Sequence, residues 1–79
     1  MNGPRQAAIE RYTAARRALD ENALADHAAG IAWETDEFLR LNRAVADAER
    51  GVPWWRRWAI DRRILRELDY WNRMRGGAR

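Results

Sequence analysis

The sequence predicts an all-α protein, a small three-helix arrangement, on three observations. Its two prolines, Pro4 and Pro53, fall where helices would begin and leave 48 proline-free residues between them. That interval is rich in alanine, leucine, arginine and glutamate, the strongest helix formers. No alternating run of β-branched residues signals a strand anywhere along the chain.

The first helix is expected over about 4–24. Pro4 suits its first turn, with Asn2 or Gly3 as cap. Ala8, Tyr12, Ala15 and Leu19 recur at three- and four-residue steps with Ile9 beside them, one apolar stripe made lean by its alanines. From Asp20 to Glu34 the pattern blurs, and the end of the helix is placed only between Asn22 and Gly30. The second helix, about 35–50, opens on Thr35 as N-cap, with Asp36 and Glu37 complementing the helix dipole. Phe38, Leu41, Val45 and Ala48 form its seam, Leu39 flanks it, and Gly51 supplies the stop.

The third helix, about 53–74, starts at Pro53 and frays at Gly76-Gly77. Ile60, Ile64, Leu68 and Trp71 make its central stripe, which Trp54, Trp58 and Leu65 widen on one side. Trp58 and Trp71 read as core residues, and Trp54 as a cap on the bundle. Trp55 lies nearly opposite Ile64, so the helix has more apolar surface than one packing face needs. Seventy-nine residues make a single domain with a small core, and such chains often rely on an external stabiliser. The expected fold is therefore either a compact bundle or a helical hairpin whose third helix a partner completes.

Composition removes most catalytic chemistry. There is no cysteine, hence no disulfide, thiolate zinc site or redox centre, and there is no serine. His27 is the sole histidine and pairs with no nucleophile. Asp26, His27, Glu34, Asp36 and Glu37 read as a solvated helix end rather than a metal site. No enzyme, cofactor, metal or small-molecule substrate is expected. No stretch approaches the roughly 20 apolar residues of a membrane span, and no secretory signal follows Met1, so a cytoplasmic location is the expectation.

The segment Pro53-Trp54-Trp55-Arg56-Arg57-Trp58 is the feature to explain. Three of the five tryptophans fall within five positions, and three such helix positions cannot all face one core. Tryptophan and arginine are the residues enriched in interface hot spots. All fifteen basic residues are arginine, a bias that a GC-rich coding sequence accounts for, and arginine stacks and forks where lysine would not. Residues 1–49 carry six arginines and nine acids, a net of −3; residues 50–79 carry nine arginines and three acids, a net of +6. Folding the third helix onto the second would neutralise this polarity, as would pairing head to tail with another copy. Arg57 and Asp61 fall inside the apolar arc of the third helix, as a spaced pair that is either buried or part of a contact surface.

These residues point to a protein–protein interaction module that docks on a larger partner or on itself through Trp54, Trp55, Arg56, Arg57, Trp58, Asp61 and Arg62. The alternative is a nucleic-acid-binding protein using Arg56, Arg62, Arg63 and Arg66. The three helices and the short turn Arg50-Gly51-Val52-Pro53, with its glycine and apolar residue, resemble a helix-turn-helix. The sequence departs from that motif at Asp47, Arg57 and Pro53, and Glu67 and Asp69 interrupt the basic surface. Binding along a membrane surface is the least favoured reading, because Asp61, Glu67 and Asp69 share the helix with the tryptophans.

Overall fold

A computed structural model describes residues 3–76 as three helices, α1 (Pro4–Ala28), α2 (Asp36–Glu49) and α3 (Trp54–Gly76), with no strand among them. The all-α class is as expected, and each boundary has a local cause. Pro4 sits in the first turn of α1 after an extended Gly3, whose carbonyl accepts the Ala7 amide. The helix runs a full turn beyond Leu24, because the alanine-rich stretch has high propensity and nothing halts it before Gly30. There the Ile31 amide donates to the Asp26 carbonyl and the Gly30 amide to that of His27, with Gly30 at φ 76°. This Schellman closure needs a left-handed residue, which glycine supplies without strain.

Thr35 caps α2 through its hydroxyl, which accepts the Phe38 amide at 3.0 Å. Gly51 then follows α2, but its role differs from a stop signal: its φ is not positive. A Cβ at this position would lie 2.9 Å from the Ala8 Cβ, so glycine is required where the turn crosses α1. The Pro53 carbonyl accepts the amides of Arg56 and Arg57 and thereby opens α3.

Contacts fix the directions of the helices. Gly51 lies on Ala8, and Phe38 shares a hollow with Ala23 and Asp26, so α2 runs antiparallel to α1. Tyr12 meets Asp61 and Arg17 meets Glu67, so α3 runs parallel to α1. Both α2 and α3 pack on α1, whereas they touch each other only glancingly. The radius of gyration, 14.0 Å, exceeds the roughly 12 Å of a compact chain of this length. The molecule is accordingly a long, open arrangement of 44 × 28 × 21 Å.

The core consists of Tyr12 and Leu19 from α1, Val45 and Ala48 from α2, Val52 from the turn, and Ile60 and Ile64 from α3. Ala8, Ile9, Ala15, Phe38, Leu41 and Leu68 pack around it. The seams of α1 and α2 thus match the sequence reading. That of α3 does so only in part, since Trp58 and Trp71 are both exposed rather than in the core, and Trp54 caps nothing. The lean face of α1 seats two isoleucines, and α2 stands too far from α3 to wall in an indole.

Polar links complete the attachment of α3. Buried Tyr12 donates from its hydroxyl to Asp61 Oδ1 at 2.6 Å. Burial, and then the adjacent carboxylate, raise the Tyr12 phenol far above its ordinary range and keep it a donor. Arg16 Nε donates to Asp20 at 3.3 Å and stands 3.8 Å from Asp61. Burial raises the Asp20 carboxyl above its usual value, against the opposing pull of Arg16. Beyond this cluster, Arg17 grips Glu67 and lowers its pKa, and Arg57 reaches Glu49 at 3.1 Å. The expected Arg57–Asp61 pairing is therefore replaced by two separate links, one to α2 and one to α1.

Candidate interaction surface

The outer side of α3 follows from its inner side. With Ile60 and Ile64 seated on α1, winding at about 100° per residue places Trp54, Leu65, Trp58, Arg62 and Trp55 within a single arc of about 100°. No helix covers that arc. Trp54 is 72% exposed, Trp55 55% and Trp58 58%, and Leu65 is half exposed. Three indoles more than half exposed on one helix are unusual, because each aromatic side chain can bury roughly 150–250 Å² on packing.

The arginines of the segment dress these rings. The Arg62 guanidinium lies 4.8 Å from the Trp58 ring centroid and Arg56 lies 5.4 Å from that of Trp55. Each such contact is worth about 0.5–1 kcal/mol at an exposed site. It also holds a flat, amphipathic plate in place at low entropic cost to any later contact. Arg57 is not part of the arc, being half-buried against Glu49, and Asp61 is engaged by Tyr12 and Arg16. Of the seven residues expected at the interface, the structure brings Trp54, Trp55, Trp58 and Arg62 together outside. Arg56 sits at the edge, beside Arg5, Ile9 and Pro53.

The acids of α3 are disposed differently from the sequence reading. Asp61 and Glu67 flank the isoleucine stripe and turn toward α1, and Asp69 pairs with Arg73 at 2.7 Å. Only Asp69 then dilutes the outer arc. The four arginines considered for nucleic acid divide into two stripes. Arg56 and Arg63 line the α1 groove with Arg17, and Arg63 stands 3.9 Å from Glu67. Arg62 and Arg66 face solvent.

Farther along α3, Tyr70 and Trp71 meet edge to face at 5.4 Å, and both are exposed, as is Met74. A second apolar feature lies at the opposite end of α1, where the sequence offered no stripe to follow. Trp33, 68% exposed, lines with Phe38, Ile31 and Ala23 a hollow of about 210 Å³ that Asp26 and Glu34 also border. The available signal was a tryptophan outside any helical seam, in the acidic stretch between Gly30 and Thr35.

Among the described residues, no cluster of histidine and carboxylate side chains is arranged to hold a metal ion, and no helix is long and apolar enough to cross a membrane. No protein-family model matches the chain, and comparison with curated proteins and with solved structures finds no match.

Proposed function

We propose that the chain is a non-catalytic protein–protein interaction module, a small helical subunit or adaptor that docks through the outer arc of α3. The observation that carries this reading is the joint exposure of Trp54, Trp55 and Trp58 on one side of a helix whose other side is fixed to α1. Rigid aromatic plates beside arginine are the chemistry of hot spots, where truncating one residue costs about 2 kcal/mol or more of binding. The arginine stacking and the inward turn of Asp61 and Glu67 leave this arc apolar and cationic, suited to a protein surface that combines an apolar pocket with carboxylates.

The test separates docking from folding. Trp54→Ala and Trp58→Ala are expected to change stability by no more than about 1 kcal/mol, the upper value of an exposed cation–π contact. Each is also expected to abolish recovery of a stoichiometric protein partner from nuclease-treated native lysate. Loss of helicity in either variant would reassign these tryptophans to the core. Recovery that collapses on nuclease treatment of the wild type would instead favour nucleic acid and the Arg62–Arg66 stripe.

A further inference from the structure

The two exposed apolar features lie at opposite ends of α1 and carry opposite charge. At one end, Trp54, Trp55 and Trp58 stand with Arg5, Arg56 and Arg62, none of which has a carboxylate partner among the described residues. At the other, the Trp33 hollow is bordered by Asp26 and Glu34, neither of which has a cation partner among the described residues. Ile9 marks the first end and Asp26 the second, a separation along the helix of about 25 Å at the usual rise. The two features cannot meet within one chain. Nor has folding neutralised the polarity of the sequence, because α3 lies on α1 and sends only Arg57 to the acidic α2.

We infer that the occupant of the acidic hollow is the Trp54–Trp58 ridge of a second copy of this chain, an assignment that rests on reading the outer arc of α3 as a docking surface. Charge complementarity argues for it: the ridge belongs to a segment of net +6, the hollow to one of net −3. Area argues in the same direction. The exposed parts of the four indoles at the two ends, between 55% and 72% of each, offer about 500 Å² per copy at a typical aromatic burial of ~200 Å² for a whole ring. A standard interface buries about 800 Å² per partner, and the flanking arginines and helix surface account for the remainder. Because the two features sit at opposite ends, an antiparallel pair makes the contact twice and closes on itself, the commonest symmetry of protein assemblies. Asp26 and Glu34 then receive Arg56 and Arg62 of the other copy, with the indoles against Phe38 and Trp33.

The test is sedimentation velocity on the purified chain from micromolar to millimolar concentration, in low and high salt. The wild type is expected to move from one chain to an assembly as concentration rises, and to revert in high salt, which screens the pairing. Reversing the ridge (R56E with R62E) or the hollow (D26R with E34R) is expected to weaken association at least tenfold while circular dichroism stays helical. Mixing the two reversed proteins should restore it, since each ridge then faces a hollow of opposite sign. A wild type that stays monomeric throughout overturns the inference, as does a mixture that fails to associate. The docking reading fails separately: it survives a monomeric wild type if Trp58→Ala still abolishes recovery of a different protein, and falls if that recovery is unchanged.

Discussion

Replacing Tyr12 by phenylalanine removes one oxygen from the centre of the molecule and tests how α3 is held. Tyr12 is 1% exposed, so its ring stays in place and only the hydroxyl is lost. That hydroxyl makes a 2.6 Å hydrogen bond to the Asp61 carboxylate across 49 residues of sequence. Hydrogen bonds to charged groups contribute about 1.5–3 kcal/mol, and Asp61 retains only Arg16, at 3.8 Å. The loss is expected to be about 2 kcal/mol. A chain of this length has a total stability of about 4–12 kcal/mol, so the effect is a large share of the whole. It corresponds to a fall in Tm of about 8–16 °C. Urea and thermal unfolding followed by circular dichroism measure it directly. A double-mutant cycle with Asp61→Asn isolates the pair, with an expected coupling of about 1–2 kcal/mol. A loss below about 0.5 kcal/mol, or no coupling, would refute the argument and leave α3 held by its isoleucines and its outer ion pairs instead.

Two further expectations concern the turn and the buried carboxylate. Gly51→Ala would normally gain about 0.4–1 kcal/mol through the unfolded chain. Here the 2.9 Å approach to Ala8 makes it destabilising by about 1–3 kcal/mol, and adding Ala8→Gly recovers part of that loss in the same unfolding assay. Asp20 ionises near 3.8 when unfolded but holds its proton to higher pH when folded, so its contribution to stability is greatest at acid pH and declines as pH rises through that window. Asp20→Asn should therefore gain Tm relative to the wild type between pH 3 and pH 7, approximate bounds that bracket an ordinary carboxyl; a difference that shrinks would mean that the Arg16 pairing outweighs burial.

The helices were legible because their signals are local. Pro4, Thr35 and the apolar seams of α1 and α2 act within a turn or two of themselves. Gly30 was ambiguous for a physical reason, since a glycine can be tolerated inside a helix or close one, and the choice depends on carbonyls that only the three-dimensional turn aligns. Periodicity flagged the surplus apolar arc of α3 but not which tryptophans it would expose. That depended on the separation of α2 from α3, a long-range property. Asp61 stood out as a charge in an apolar stripe, whereas its partner Tyr12 read simply as an apolar stripe member. A phenol serves both descriptions until the carboxylate arrives.

Because α3 is attached chiefly to α1 and to α2 mainly through Arg57, the molecule is expected to behave as two cooperative units of unequal strength. The α1–α2 hairpin closes through contacts nearer in sequence than those of α3, and so is expected to form early and open last. The third helix joins it through two isoleucines and a few polar links. Its amides are therefore expected to exchange first with solvent, and a protease is expected to cut there first. An occupant docked on the tryptophans would hold that same segment down, so binding and resistance to degradation would rise together by mass action.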